Sequence, residues 1–171
     1  MKTFNKILLA CDIQSNAGEV LAYGCQLAGE LQAELVILNV ISQRDLFALK
    51  KAAVYSSTFS EKKYLNQWIN SHIHQLELLL EKYHTSDLQI RKTVKVGLPF
   101  KEIIETAEEE NVDLIVIGPK KQFDLSKLFY SSTADKLFRC SPIPLLSVRP
   151  KHIPEQRYAL HHELTGKDSA A

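Results

Sequence analysis

Short apolar runs alternate along this chain with stretches of helical period. The run "KILLAC" (residues 6–11) has no polar side chain after Lys6, the mark of a strand buried on both faces of a sheet. After the polar loop "DIQSNAG", the stretch "EVLAYGCQLAGELQ" places Leu21, Cys25, Ala28 and Leu31 at helical spacing. "AELVILNV" (33–40) is a second buried strand. Two such strands joined through one helix make a βαβ unit, which requires a parallel sheet and a right-handed crossover.

Residues 41–60 are less regular and are read as a short helix and a mobile loop. The spacing of Leu65, Ile69, Ile73, Leu76, Leu80 and Tyr83 predicts a long helix over 61–83, with Trp68 bordering its apolar face. "HTSD" ends it. "LQIRKTVKV" (88–96) alternates apolar and polar, as an edge strand with one wet face does. Arg91, Lys92, Lys95 and, past the next turn, Lys101 read as edge protection rather than a binding patch. "GLP" sets Pro99 at a helix start, and Phe100, Ile103, Ile104 and Ala107 share one side of that helix. "DLIVIG" is a fourth strand. "TADKLFRC" predicts a helix with Ala134, Leu137 and Phe138 inward, and "SPIPLLSVRP" holds a last strand bracketed by prolines. The order βαβαβαβαβ defines an α/β class fold: a doubly wound parallel sheet of five strands with helices on both faces, filling residues 1–150. Residues 151–171 form a tail with one short helix near Arg157–Leu164.

Composition narrows the function. The chain has 171 residues, 45% apolar and 24% charged, and a formal net charge of +1, so no global field favours nucleic acid or an acidic membrane. No basic face with interleaved aromatics is present, and the first apolar run is too short for a secretion signal or a membrane span. Cys11, Cys25 and Cys140 have neither C-x-x-C nor metal-ligand spacing, and two of the three fall in apolar periodic segments, which fits small buried hydrophobes in a reduced cytoplasmic setting. His161 and His162 are adjacent, so they point different ways on a helix and read as a solvated tail, not a metal site. His72 and His74, two apart, do not share a helix face, and no metal is expected.

In doubly wound sheets the ligand crevice lies outside the carboxyl ends of the strands, at the switch point. With the first strand central, that point falls between Asp12 and Gly118. Over it hangs "IGPKKQFDLSKLFYSSTADK" (117–136), in the position of a phosphate-binding loop but with Gly118 as its one glycine. Asp12 reads equally as a cap at the strand end.

Several pieces in order resemble the universal stress protein family: "KILLACDIQSNAGEVLAYGCQLAGELQAELVILNVI", "VGLPFKEIIETAEEENVDLIVIG" and "SSTADKLFRCSPIPLLSVRP", together reaching from Phe4 to Arg149. The resemblance implies an adenine-nucleotide alpha-hydrolase-like fold with strand order 3-2-1-4-5. ATP-binding members carry Gly-x2-Gly-x9-Gly-Ser/Thr after strand four. Laid on this chain, that pattern falls on Gly118, Lys121, Ser131 and Ser132. Lys121 puts a long side chain where backbone should meet phosphate, and Ser131 adds a Cβ at a tight turn into the helix. Lys120, Lys121 and Lys127, with the hydroxyls of Ser131, Ser132 and Thr133, still favour an anion. By the same resemblance Asp12 faces the nucleotide, and Val40 and Ile117 flank the adenine. The nucleotide-binding set it implies is thus Asp12, Val40, Ile117, Gly118, Lys121, Ser131, Ser132 and Thr133, with ATP as the cofactor it brings in and none fixed by the residues themselves.

The expected function is a cytosolic stress-response or regulatory binding module with weak or no ATP binding. Its alternative is an ATP-binding member with a non-standard loop. The resemblance also implies a homodimer paired through the last strand, Pro144 to Val148, and leaves room for other protein partners. An enzyme, such as a weak ATPase, finds no convergent acids or histidines at the strand ends beyond Asp12. A relative of electron-transfer flavoprotein lacks the length for a flavin region.

Overall fold

The computed structural model describes residues 4–13, 17–43, 45–47, 60–83, 87–118 and 133–148. Its elements run β1 (Lys6–Ala10), α1 (Ala17–Leu31), β2 (Glu34–Ser42), α2 (Glu61–Leu80), β3 (Ile90–Gly97), α3 (Pro99–Glu109), β4 (Leu114–Ile117), α4 (Thr133–Cys140) and β5 (Leu145–Ser147). The five strands form one sheet in the order β3-β2-β1-β4-β5, and every pairing is parallel. The sequence expectation of a doubly wound sheet in this order therefore holds.

Strand alternation sorts the central residues into two cores. Ile7, Leu9, Leu35, Ile37, Leu114 and Val116 pack with Leu21, Cys25 and Ala28 of α1 and Leu76 and Leu80 of α2. Leu8, Val36, Leu38, Ile115 and Ile117 pack on the opposite face with Ile103 and Ala107 of α3 and Leu137 of α4. Both faces of β1 are thus dry, which is why its sequence is continuously apolar rather than alternating.

Sequence chemistry explains the element ends. Gln32 and Asn111 take left-handed backbone, with φ of 53° and 52°. The next residues close the helices: Ala33 N–H donates to the Ala28 carbonyl at 2.9 Å, and Val112 N–H to that of Ala107 at 3.0 Å. Asp113 ties β4 to β1, because its Oδ2 accepts the backbone N–H groups of Asn5 at 2.9 Å and Lys6 at 3.2 Å.

The basic side chains of β3 are paired. Arg91 reaches Glu110 at 3.0 Å and Glu34 at 3.6 Å, Lys92 reaches Glu77 at 2.7 Å, and Lys95 reaches Glu109 at 2.7 Å. Lys101 meets Glu105 one turn along α3 at 3.4 Å. Each exposed pair contributes little stability, but together they occupy the cations of this edge, as expected of edge protection. The N–H groups of Lys82 and Tyr83 bond the carbonyls of Leu79 and Leu80, three residues back rather than four, so the long helix ends at Leu80, short of Tyr83.

Three details differ from the sequence expectation. Phe138, expected inward, is 60% exposed, because α4 has eight residues and turns only Leu137 fully into the core. Leu31, at the last position of α1, is also exposed. β2 is longer than expected, running to Ser42, since β3 pairs with it as far as Gly97. The expected tail helix, Arg157–Leu164, lies outside the described residues.

Candidate functional site

The carboxyl edge of the sheet is stepped. β1 ends with Ala10 beside Leu38 on one side and Ile117 on the other. β2 continues past that point to Ser42, still paired with β3 through Gly97. The four residues beyond Leu38 make a two-stranded overhang about 13 Å tall, at roughly 3.3 Å per residue. Crevice floor and wall follow from this. The floor is the ends of β1 and β4, where Asp12 is exposed, Ile117 is buried and Gly118 is half-buried. The wall carries Val40, half-buried and packed toward the α3 and α4 core.

Gly118 has a packing reason of its own. A Cβ built there would lie 2.2 Å from Cγ2 of Val20 in α1. The end of β4 passes Val20 so closely that a Cβ would force that side chain, α1 or β4 to shift. Glycine at the start of a phosphate loop thus has a packing reason here whether or not phosphate binds.

Behind the overhang lies a polar cluster that spacing alone did not bring out. Asn39 is 3% exposed and His72 of α2 is 6% exposed. The Asn39 Nδ2 donates to the Cys11 carbonyl at 2.8 Å, and its Oδ1 lies 2.6 Å from Nδ1 of His72. With the amide nitrogen spent on Cys11, the amide oxygen faces the ring, so neutral His72 carries its proton on Nδ1. Trp68 packs edge-on against the imidazole, centroids 5.7 Å apart. Ser42 accepts the N–H of Asp45 at 3.2 Å and donates its hydroxyl to the Asp45 carboxylate at 2.5 Å, holding that acid at the start of the short helical stretch after β2.

Burial lowers the pKa of His72, while the charges of Asp12 and Asp45 oppose the shift. A histidine held below its ordinary 6.5 stabilises the fold fully above that pH, and the contribution is lost as pH falls toward the folded-state value. Thermal stability is accordingly expected to fall more steeply below pH 6.5 in the wild type than in His72→Asn, measured by melting temperature from pH 8 to 5.

Burial and the neighbouring Asp12 push the Cys11 thiol up to about 12, and burial raises Cys25 as well, so both are protonated packing groups rather than nucleophiles. Cys140 is exposed.

Of the residues singled out from sequence, Asp12, Val40, Ile117 and Gly118 come together at the step, and Thr133 opens α4. Lys121, Ser131 and Ser132 lie outside the described residues. The sequence reading did not assign Asn39 or His72. The available signals were a single polar residue in an apolar strand, and a histidine four residues from both Trp68 and Leu76, hence on the buried side of α2. Among the described residues no group of three or more His, Cys, Asp or Glu side chains could hold a metal ion, and no described helix is long and apolar enough to cross a membrane.

A parallel sheet in this order, with a crevice at the switch between β1 and β4, defines an adenine-nucleotide alpha-hydrolase-like α/β fold. The model of the universal stress protein family matches residues 3–149, and the chain belongs to that family. YxiE, a universal stress protein of Bacillus subtilis strain 168, is 30% identical over 155 residues, covering 85% of this chain and 99% of its own. The solved structure of MJ0577, a universal stress protein of Methanocaldococcus jannaschii, superposes with a TM-score of 0.66 at 20% identity, covering 89% of this chain and 100% of the other. A universal stress protein solved in complex with cAMP superposes at 0.55 with 16% identity, over 86% of this chain and 98% of the other. Members of the family commonly form homodimers and are generally regulatory rather than catalytic.

Proposed function

We propose that this protein is a non-enzymatic, cytoplasmic stress-response binding module that acts as a homodimer and holds ATP weakly or not at all. The observation that carries the reading is β5. It is an edge strand with Leu146 41% exposed. An unpaired apolar edge is a liability in a monomer, and pairing with a second copy across a two-fold axis removes it. The crevice supports the nucleotide half of the reading. Its one matching glycine, Gly118, is accounted for by contact with Val20, and Lys121 and Ser131 stand where the family pattern has glycines.

The test is sedimentation equilibrium of the wild type and Leu146→Lys, beside titration calorimetry with ATP and Mg²⁺. A wild-type dimer, a monomeric Leu146→Lys that keeps its melting cooperativity, and a silent calorimetric trace are the expected results. A wild-type monomer overturns the reading.

The second reading, adenine-nucleotide binding through a non-standard loop, is favoured by the universal stress protein that holds cAMP on the same fold and by the lysines at 120, 121 and 127. Micromolar ATP binding by the wild type would establish it. Binding by Lys121→Gly/Ser131→Gly alone would show a phosphate site closed by those two side chains.

A further inference from the structure

We propose that Asn39 and His72 are positioning residues for Asp12, and that protonation of His72 changes how the end of β1 presents that carboxylate to the crevice. The inference concerns the crevice of the reading above. Its readout requires no ligand, so a failure of nucleotide to bind leaves it standing.

Cys11 and Asp12 follow the last residue of β1, where strand pairing gives out. The N–H of Cys11 still bonds the Leu38 carbonyl at 2.9 Å. The carbonyl of Cys11, which belongs to the peptide that leads into Asp12, is held by the Asn39 side chain at 2.8 Å. The peptide that carries Asp12 is thus held by a side-chain amide. That amide has its other end fixed by His72 Nδ1 at 2.6 Å. An apolar residue at position 39 would fill the same core space without reaching either group, so packing alone does not call for this pair.

The ring is also the group of the relay whose ordinary pKa lies nearest neutral pH. The groups around it come from several elements. The end of β1 supplies Asp12 and the Cys11 thiol, which stays protonated, and the short helical stretch after β2 supplies Asp45. On α2 itself lie His74 and Glu77, and from β3 Lys92 bonds Glu77 at 2.7 Å. The charges of Asp12 and Asp45 act on the ring, and both favour its protonated form. In neutral His72, Nδ1 donates to Asn39 and Nε2 has a lone pair. Protonation adds an N–H at Nε2 and a full positive charge, with two carboxylates to draw toward it. On acidification the Asp12 carboxylate is thus drawn toward α2, and its presentation to the crevice changes with it.

Nuclear magnetic resonance of the labelled full-length protein tests this between pH 8 and 5. The imidazole nitrogens of His72 report the tautomer and the titration midpoint, while the amides of Cys11 and Asp12 report the end of β1. The expected result is an Nδ1–H tautomer, a midpoint below 6.5, and Cys11 and Asp12 shifts that follow that midpoint. In His72→Asn, whose amide can still donate where Nδ1 does but does not titrate, that component is expected to vanish. The proposal is overturned if His72 stays neutral down to pH 5, if Cys11 and Asp12 do not move with it, or if the same component persists in His72→Asn. Should His72→Asn fail to fold, Asp45→Asn carries the test, since it leaves the Asn39 link intact. Removing a carboxylate that favours the charged ring is expected to lower the His72 midpoint, and the Cys11 and Asp12 shifts must move down with it. A lowered midpoint without them overturns the proposal.

Discussion

Gly118→Ala is expected to destabilise the protein by about 2–3 kcal/mol, the upper part of the range for overpacked cores. The added methyl would sit 2.2 Å from Val20 Cγ2, far inside van der Waals contact. Relief requires the buried Val20 side chain to turn, or β4 or α1 to move, and each is held in place. Ile117 is paired with Ala10 and Ser147, and Val20 is buried beside Leu21 in the α1 core. For a chain of this length the loss corresponds to a fall in melting temperature of about 4–12 °C. A double-mutant cycle assigns the cause. Val20→Ala removes the clashing methyls, so Gly118→Ala in that background should cost at least about 1 kcal/mol less than in the wild type. If Gly118→Ala melts like the wild type, the β4 end is free to shift, and the glycine needs a ligand-based explanation after all.

Asn39→Leu is the second large effect. Leucine has nearly the shape of asparagine, so little cavity or strain is created. What is lost is two hydrogen bonds in a dry place: the Cys11 carbonyl and the His72 Nδ1–H are both left without the amide that served them. Each orphaned buried group costs about 1–3 kcal/mol, giving a total of about 2–6 kcal/mol. Chemical denaturation with an unchanged m-value checks this. A loss under about 0.5 kcal/mol would mean that neither bond contributes to the native state.

Most of the fold was legible because parallel strands covered on both faces must be apolar throughout. Residues 7–10, 35–38 and 114–117 could be read as little else, and their separation by helical periods fixed the class. Boundaries were less legible. β2 runs past Val40 because β3 supplies partners as far as Gly97, a pairing that neither strand's sequence declares alone. Phe138 was misplaced because periodicity gives a helix face but not how much core the helix meets, and α4 meets little. At the site, Asp12 and Gly118 could be located from topology, since strand ends and the switch point follow from element order. Asn39 and His72 could not be paired that way. They are 33 positions apart and come together only when α2 packs on β2. A buried polar pair shows in the sequence as two unremarkable residues; partnership is what gives them meaning.

The stepped edge separates two tasks that share one crevice. Wall height is set by how far β2 and β3 run together beyond β1, that is, by the four residues from Asn39 to Ser42 and their partners Val94 to Gly97. Phosphate chemistry, where a relative has it, depends on the segment after β4, on the other side of the step. A lineage could therefore shorten or lengthen the ribbon by two residues per strand, preserving the in-out alternation, and so change the size of guest it admits without altering its treatment of charge. The reverse also holds: glycines in the later segment could come and go while the wall stayed as it is. Size selection and anion selection would then vary independently within one architecture.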